Sequence, residues 1–446
     1  MPAASVGGSP EGSLLQTDFI MHLSTHCFEA CRVRAACAFL LLPLGVACGG
    51  GSDMSDSVSY HGARVITGDG VVIEDATIIV QNGVFIEVGS SLDVDGSRAQ
   101  FQVNLSGKTV MPALNNAHFH LPSERDARTL ELQQAAYYGT GATFSFGLDE
   151  GAIGLDMRTE LISDAARSLS AGRGITAPEP GRSEVPYWVT SIEEARAAVQ
   201  ELASQEVDIV KIWVDSRGGQ YERLSPELYG AIIEEAHVQG IPVTAHVFRL
   251  EDAKGLLEAG IDVFAHGIRD VDVDDELIEL WKARPEVVLI PNLPGPGLPA
   301  GDMSWISGTV SAERIAQMES NPTSFSDLAS DAFGIQARNL VRLHDEGIRV
   351  AFGTDGGNSW TAHQELEDMV RAGLSPADVL IAATSSAAAV MGLDETGIIA
   401  EGKSADFVVL KANPLDDITN TRAIDDVYLR GTKIDREGIS TRLLGG

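Results

Sequence analysis

Apolar and polar residues alternate in three different ways along this chain. Residues 60–111 form short runs of alternating character, and Asn82-Gly83 between two of them is typical of a hairpin turn, because both positions tolerate positive φ. From residue 112 onward, apolar runs of strand length alternate with amphipathic stretches of helical length. After a helical stretch over residues 375–391, β-like runs return. The pattern predicts a β region, a β/α region and a second β region.

The middle region contains eight apolar runs of strand length, separated for the most part by amphipathic helices. Two of these helices begin with a serine in the N-cap position, Ser191 and Ser225. Eight strands with interleaved helices predict an α/β fold, a (β/α)8 TIM barrel, more readily than an open doubly wound sheet. The predicted strands cover residues 110–120, 141–147, 172–177, 207–215, 241–248, 262–268, 287–293 and 348–356.

The same pattern divides the chain into four segments. A signal peptide and flexible tether cover residues 1–57, and the TIM barrel covers residues 112–392. Residues 58–111 and 393–446 supply the N- and C-terminal strands of a small β-sandwich beside the barrel. We expect these two terminal sets of strands to pair with each other.

The first segment has the features of a secretory leader. Arg32 and Arg34 precede an apolar stretch over residues 35–47, which is too short to span a bilayer as a helix. The small residues before Cys48 resemble a bacterial lipobox. We therefore expect secretion across the inner membrane, to the periplasm or to a lipid anchor on Cys48. A plain secretory peptide cut elsewhere, or a signal that begins near Met21, would also fit these residues.

Composition excludes some classes of partner and site. The chain has 64 Asp and Glu against 32 Lys and Arg, a formal net charge of −32. Nucleic-acid binding is therefore not expected, because phosphate contacts need a basic face. Every cysteine lies in the leader, so the body has neither a disulfide framework nor a cysteine-ligated zinc site. The four are Cys27, Cys31, Cys37 and Cys48.

Six polar residues lie in or at the ends of predicted barrel strands. His118 and His120 form a His-x-His pair, and side chains at i and i+2 of a strand point to the same face. A barrel brings the C-terminal ends of its strands to one face, so residues far apart in sequence can converge there. Imidazole and carboxylate groups suit a divalent cation such as zinc. The six candidate metal ligands are His118, His120, Lys211, His246, His266 and Asp355.

The order His-x-His, Lys, His, His, Asp along these strands resembles the amidohydrolase superfamily. The local sequences are similar to its imidazolonepropionase-like and Xaa-Pro dipeptidase-like members, over residues 60–435. Asn116 departs from this pattern, because such families usually carry Asp two residues before the first His. The similar segments are residues 265–267, 353–357, 363–383 and 397–415.

The resemblance implies a metal-dependent hydrolase with two divalent cations, Zn²⁺ or, in its place, Mn²⁺, Fe²⁺ or Co²⁺. In such a site a carboxylated lysine is an anionic ligand that bridges the two metals. The implied ligands are His118, His120 and Asp355 for one metal, His246 and His266 for the other, and carboxylated Lys211 as the bridge.

The resemblance also implies how the reaction proceeds. Asp355 and His266 would be the catalytic residues, and Asp355 would pass the proton of a metal-activated hydroxide to the leaving amine. The substrate would be a small molecule with an amide, peptide or cyclic amide bond, such as a dipeptide or a lactam. Lys211 favours a binuclear, dipeptidase-like site over a mononuclear one.

Two other kinds of function fit the same residues. A surface-anchored binding lipoprotein could use this fold without catalysis, although a lapsed site would be expected to lose some of its ligands. A deaminase or a lactonase of the same superfamily would keep them. The reaction product distinguishes these enzymes, since a deaminase releases ammonia and a lactonase releases a hydroxy acid.

Substrate specificity is expected to reside in the loops that follow the barrel strands. Arg217 and Tyr221 follow the fourth strand and Arg249 follows the fifth. Each could bind a substrate carboxylate or could lie on the surface. His363 and Glu365, beyond the eighth strand, could support the site, contact substrate or begin a helix.

Overall fold

The computed structural model of this protein describes residues 54–296, 301–320 and 327–445. The predicted signal peptide and lipobox, including Cys48, lie outside the described residues. Within those ranges, no helix is both long enough and apolar enough to cross a bilayer.

Strands and helices mostly follow each other in the order that the sequence pattern predicts, but the predicted first barrel strand over residues 110–120 is divided at Ala113 into two strands. The strands of the described residues are β1 (Val58–Ile66), β2 (Val72–Gln81), β3 (Val84–Ser90), β4 (Phe101–Asn104), β5 (Thr109–Pro112), β6 (Leu114–Phe119), β7 (Thr140–Ser145), β8 (Arg167–Ser170), β9 (Ile175–Thr176), β10 (Tyr187–Trp188), β11 (Val210–Val214), β12 (Val243–Val247), β13 (Val263–Ala265), β14 (Val288–Ile290), β15 (Arg349–Val350), β16 (Phe407–Leu410), β17 (Ile424–Leu429) and β18 (Thr432–Lys433).

The helices lie mostly between the strands of the middle region. The α-helices of the described residues are α1 (Arg125–Tyr137), α2 (Ile153–Asp156), α3 (Ile192–Ser204), α4 (Pro226–Val238), α5 (Leu250–Ala259), α6 (Asp275–Lys282), α7 (Ala312–Ser320), α8 (Asp327–Asp345), α9 (Thr361–Ala372), α10 (Pro376–Ile381), α11 (Ala387–Val390) and α12 (Arg436–Leu444). A π-helical segment, Ala382–Ser386, joins α10 to α11.

The terminal strands pair with each other, as the sequence predicts. Within the described part of the chain they form one continuous mixed sheet in the order β18-β17-β16-β5-β1-β2-β3, with β4 paired to β1. The N- and C-terminal parts meet where β5 and β16 pair in antiparallel fashion. A hydrophobic core of its own lies against this sheet, where the ring of Tyr60 contacts Phe407 and Tyr428 edge-on, each at 5.2 Å.

The middle region consists of parallel strands with helices between them, which confirms the predicted barrel. One parallel sheet has the order β6-β7-β8, and a second has the order β10-β9-β11-β12-β13-β14-β15. The strand ladders do not continue from one sheet into the other. Backbone hydrogen bonds join them instead, from Ala117 N to Phe352 O at 3.0 Å and from Asp208 N to Ser170 O at 3.1 Å. The carboxyl ends of the strands are thereby brought to one side of the barrel.

The third barrel strand differs from the predicted run over residues 172–177. The chain instead forms β8 before this run and only the short β9 inside it, because Gly172 takes a φ of 59° and interrupts the extended backbone. The backbone then passes directly over Trp213. A Cβ atom at Gly174 would lie 2.1 Å from Trp213 Cζ3, so this crossing requires glycine.

The predicted serine N-caps are confirmed at the starts of α3 and α4. Ser191 Oγ accepts a hydrogen bond from Glu194 N at 3.2 Å, and Ser225 Oγ accepts one from Leu228 N at 3.4 Å. Each hydroxyl satisfies a backbone N–H that has no partner within the helix. These caps fix where the two helices begin, and so determine the length of the loops that lead away from the strand ends.

Candidate metal centre

His118 and His120 lie at the carboxyl end of the first barrel strand, β6. Every residue of β6 is buried, and His118 is completely inaccessible to solvent. The Nε2 atoms of both imidazoles face the same oxygen, Asp355 Oδ1, at 3.1 Å from His118 and 2.9 Å from His120. The shared face of the His-x-His pair is therefore what places two imidazoles on one carboxylate.

The approach of Asp355 to β6 depends on the residues just before it. A Cβ atom at Gly353 would lie 2.7 Å from the Cβ of His118, so only glycine permits the contact. Thr354 N and Asp355 N then donate to His118 O at 3.0 and 2.9 Å. Asn116 adds a second tie, because its Oδ1 accepts from Thr354 N and its Nδ2 donates to Thr354 Oγ1. The asparagine that departs from the family pattern thus joins the first strand to the eighth.

His266 approaches the same carboxylate from the end of β13. Its Nε2 lies 3.5 Å from Asp355 Oδ2, and its ring centroid lies 5.1 Å from that of His118. His266, Asn292 and Asp355 all have positive φ, at 80°, 42° and 54°. A residue other than glycine in this conformation costs on the order of 1–3 kcal/mol. Backbone strain is therefore concentrated where the three strands deliver their side chains.

The orientation of the His118 ring is set by Asn292, whose role sequence reasoning missed. His118 Nδ1 lies 2.7 Å from Asn292 Oδ1, an atom that can only accept, so Nδ1 carries the proton and donates. This tautomer leaves Nε2 with its lone pair, on the side of Asp355. The available signal was the position of Asn292 near the carboxyl end of the seventh predicted strand, residues 287–293.

Lys211 lies in the middle of the buried strand β11 and is fully enclosed. Its Nζ has no hydrogen-bond partner among the described residues and lies 5.1 Å from the ring centre of Phe146 and 5.6 Å from that of Trp213. Burial, reinforced by the positive charge of Arg217, lowers the pKa of Lys211 to about 7, although Asp355 opposes the shift. A large fraction of this amine is therefore neutral at neutral pH.

His246, at the end of β12, belongs to a different set of contacts. Its ring centroid lies 4.5 Å from that of His266. Its Nε2, however, lies 3.3 Å from Asp215 Oδ2 and 3.2 Å from Arg217 Nη1. Arg217 is itself held by Asp215 at 3.0 Å and by the buried Glu179 at 2.8 Å. The ligand nitrogen of His246 thus faces a salt-bridge network.

The protonation states in the centre suit metal ligands. Burial lowers the pKa of His118 to about 4 and holds the pKa values of His246 and His266 well below the ordinary value, so these imidazoles are neutral at pH 7. Desolvation alone would raise the pKa of Asp355, but His118, His120 and His266 hold it well below its usual value. Neutral imidazoles around an ionised carboxylate are the forms that bind a cation.

Whether the residues fit a metal can be judged from the positions of their ligand atoms. One ligand atom each of His118, His120 and Asp355 lies within 4.8 Å of the others, a spacing that one divalent cation can bridge. His118 Nε2, His266 Nε2 and Lys211 Nζ are buried without a hydrogen-bond partner among the described residues. The first metal site therefore fits. For a second cation, His266 and Lys211 offer free atoms, whereas His246 Nε2 is already engaged.

The other candidate residues from the sequence have mostly structural contacts. Tyr221 donates its hydroxyl to Pro180 O at 3.2 Å, and Arg249 is half-exposed. His363 is buried between Thr421 Oγ1 and Tyr138 O.

Glu365, on α9, is the exception, because it reaches the loop beside the centre. Its Oε1 accepts a hydrogen bond from Leu293 N at 3.0 Å, next to the Asn292 that orients His118. Burial raises the pKa of Glu365 well above its usual value. Glu365 therefore supports the loop after β14 through its hydrogen bond to Leu293 N.

Comparison with known proteins places this site in a family. The profile of the Amidohydrolase family matches residues 109–434. Ochratoxinase from Aspergillus niger is 25% identical over 87% of this chain and 88% of its own, and imidazolonepropionase from Deinococcus radiodurans is 26% identical over 82% and 94%. The crystal structure of a protein from Bifidobacterium longum, provisionally called a prolidase, is 28% identical, with a TM-score of 0.72 over 88% of this chain and 99% of that one.

Proposed function

Because the chain belongs to the amidohydrolase family, we propose that it is a metal-dependent hydrolase that cleaves a C–N bond in a small-molecule amide. The observation that carries this proposal is the convergence of His118, His120 and His266 on Asp355 at the carboxyl ends of barrel strands. This is the face of a barrel where catalytic residues gather. The strained backbone at His266 and Asp355 supports the same conclusion, since such strain clusters at functional sites.

His118, His120 and Asp355 would hold one divalent cation, and His246, His266 and carboxylated Lys211 would complete a site for two. A cation bound there supplies a Lewis acid that polarises the amide carbonyl and makes a water nucleophilic at neutral pH. Zn²⁺ suits imidazole and carboxylate ligands, and Mn²⁺, Fe²⁺ or Co²⁺ could replace it.

Asp355 and His266 are the residues that would handle the proton. The Asp355 carboxylate is ionised, and its Oδ1 is shared between His118 and His120. Among the described residues its Oδ2 faces His266 alone, at 3.5 Å, and is the oxygen available to accept a proton from the attacking water. The same oxygen can return that proton to the leaving amine, which cannot depart as an anion.

Lys211 has the environment that carboxylation requires. Its amine is neutral in a large fraction of molecules and has no competing hydrogen bond within the described residues. When such an amine attacks CO2, a new N–C bond forms and one proton is released, which leaves an anionic carbamate. The carbamate would balance the positive charge of bound cations in this enclosed space. The unmodified Nζ has no hydrogen-bond partner there among the described residues.

The proposal is tested by metal content and turnover together. The full chain is purified with Zn²⁺ or Mn²⁺ supplied, its metal is counted by mass spectrometry, and a panel of dipeptides, lactams, carbamates and lactones is assayed for release of amine, ammonia or hydroxy acid. We expect up to two equivalents of metal in the wild type, no more than one in Lys211→Met, and hydrolysis of at least one amide. Protein that holds no stoichiometric metal, or that keeps its activity as Asp355→Asn, would contradict the mechanism.

The same assay separates the alternatives. Ammonia as the product would indicate a deaminase, and a hydroxy acid released from a lactone would indicate a lactonase. Tight binding of panel members without turnover would favour a non-catalytic binding lipoprotein. The three outcomes are distinguished by the product and need no assumption about which substrate is natural.

We further propose that residues 1–57 direct secretion across the inner membrane and that Cys48 carries a lipid anchor. The supporting feature is the order of positive, apolar and small residues in this segment. Mass spectrometry of the processed N-terminus from membrane fractions tests it. An unmodified Cys48, or a soluble protein cut at another residue, would contradict the anchor.

A further inference from the structure

Arg269 lies in the loop after β13, three residues beyond His266. Its backbone N donates to Phe248 O at 3.0 Å, and its guanidinium carbon lies 3.3 Å from the centre of the Phe248 ring. Phe248 in turn packs against His246 and His266, with ring centroids 4.3 and 5.0 Å away. One aromatic ring therefore separates this guanidinium from two imidazoles of the candidate metal centre.

Within the described residues, the guanidinium of Arg269 has no carboxylate partner. Among the described residues, its stacking on Phe248 is the contact that its side chain makes, and no ion pair or hydrogen bond to the guanidinium is present. The adjacent Asp270 is turned away, because its Oδ1 accepts from Leu250 N, at the start of α5, and from Val271 N in its own loop. A half-buried guanidinium without an ion pair or hydrogen bond is unfavourable unless another group supplies one.

The nearest carboxylates in the centre are also committed elsewhere. Asp215 is paired with Arg217, and Asp355 is held by His118 and His120. Both act on Arg269 only from a distance, by raising its pKa, while burial lowers it to about 10. The guanidinium therefore keeps its charge at neutral pH, and no protein group within the described residues neutralises it directly.

We propose that Arg269 binds a carboxylate of the substrate, so that the favoured substrates are amides with a carboxylate close to the scissile bond, such as dipeptides and N-acyl amino acids. This inference rests on the proposed hydrolase function. The arginines that the sequence suggests for binding a substrate carboxylate are less suited to it than Arg269. Arg217 is occupied by Glu179 and Asp215, and Arg249 is half-exposed on the rim.

The chemistry of the stack fits such a ligand. Phe248 covers one face of the guanidinium and leaves the N–H groups at its edge free, which is the geometry for two parallel hydrogen bonds to a carboxylate. A lysine at this position would supply the positive charge. It has no planar group to stack on Phe248 and no pair of N–H donors arranged to bind both carboxylate oxygens. Arg269 therefore combines selectivity for a planar anion with a fixed position relative to the metal ligands.

The test compares acids with their neutral amides. N-acetyl-L-leucine and Gly-Leu, and the C-terminal carboxamide of each, are titrated calorimetrically into the Zn²⁺-loaded full chain and assayed for hydrolysis. In Arg269→Met we expect affinity and kcat/KM for the acids to fall on the order of 100-fold, while values for the carboxamides change little. Arg269→Lys should recover part of the loss. Arg338→Met removes an exposed arginine paired with Asp272 and serves as the matched control.

The outcomes separate this inference from the proposed function. If the wild type binds acids and carboxamides equally well, or if Arg269→Met weakens both alike, Arg269 does not bind the carboxylate. If acids bind through Arg269 but none is hydrolysed, the carboxylate site stands and the hydrolase function fails for this class. If the Met variant does not fold, the Lys variant decides, because an acid preference unchanged from the wild type would also overturn the assignment.

Discussion

The two sides of the candidate metal centre engage their histidines in opposite ways. On the Asp355 side, which comprises His118, His120, His266 and Asp355, three imidazoles face one carboxylate, and no Lys or Arg of the described residues forms an ion pair with that carboxylate. Two of the facing nitrogens are buried without any hydrogen bond from the described residues. Such an arrangement is incomplete by itself and becomes favourable when a cation binds.

The Arg217 side, which comprises His246, Asp215, Arg217 and Glu179, is already balanced. Two carboxylates hold one guanidinium, and the guanidinium and Asp215 both contact the ligand nitrogen of His246. A cation on this side must compete with Arg217 for His246 Nε2. Six residues in the right order therefore do not make two equal metal sites. We expect one tight cation site on the Asp355 side and one weaker site on the Arg217 side.

The largest expected effect is on the Asp355 side. Asp355→Asn keeps the shape but removes the charge that three imidazoles face, so we expect hydrolytic activity to fall on the order of 10³-fold and the tight cation to be lost. Metal counting and steady-state kinetics measure both. Asp272→Asn, which alters an exposed aspartate paired with Arg338, is the matched control and should behave as wild type. Full activity in Asp355→Asn would remove the basis for treating the two sides differently.

The next effect should appear on the Arg217 side, in stability. Arg217→Met leaves Asp215 partly buried without its cation, whereas Glu179 keeps its ion pair with Arg182, so the substitution should cost about 3–5 kcal/mol of unfolding free energy in the metal-free protein. Urea unfolding measures this. The double variant Asp215→Asn/Arg217→Met should recover part of the loss, because the stranded charge is removed.

The same variant also tests the competition at His246. With Arg217 gone, Asp215 and His246 together favour a cation, so the folded Arg217→Met protein should bind its second equivalent of Zn²⁺ more tightly than the wild type. An unchanged second affinity would show that Arg217 does not compete for His246 Nε2. The two sides would then be equivalent toward metal.

Much of the fold and of the candidate site could be predicted from the sequence because the signals are local. A run of apolar residues followed at once by a polar one predicts a strand end, and this holds for His120 and His266, whereas Asp355 follows its apolar run after Gly353 and Thr354. The barrel then brings strand ends together whatever their separation along the chain. The order of the six residues along the sequence is therefore enough to predict the candidate site without knowledge of any contact.

Contacts between neighbouring loops could not be predicted in this way. The hydrogen bond between Asn292 and His118 joins residues 174 positions apart and depends on a positive φ at Asn292 that the sequence does not announce. The stack of Arg269 on Phe248 depends on how two adjacent loops meet. Arg217 follows the fourth predicted strand, but whether it contacts substrate or Glu179 depends on side-chain geometry alone.

A smaller effect is expected when Asn292 is replaced, and it tests how the His118 ring of the Asp355 side is oriented. Asn292→Leu removes the acceptor that orients the His118 ring, so cation affinity should fall roughly 10- to 100-fold, as for other partners of metal-bound histidines. Competition with a chromophoric chelator measures it. Asn292→Asp retains an acceptor oxygen and should keep most of the affinity. Equal losses in both variants would indicate general damage to the loop and no specific role in orientation.

The smallest effect is expected at Glu365, which supports the Asp355 side through Leu293. Burial raises the pKa of Glu365 well above its usual value, so the folded protein binds a proton that the unfolded chain releases. The stability contributed by this proton is fully present below the ordinary glutamate pKa and is lost as pH rises through the folded value. Glu365→Gln keeps an acceptor for Leu293 N and has no proton to lose, so at pH 4.5 it should differ from the wild type by no more than about 1 kcal/mol. Urea unfolding at pH 4.5 and pH 8 should show the wild type losing more stability than the variant over that interval.

The raised pKa of Asp368, about 6, affects both proteins and cancels in the difference. Parallel pH profiles would mean that Glu365 is ionised in the folded protein, and the Asp355 side would then carry a second buried charge.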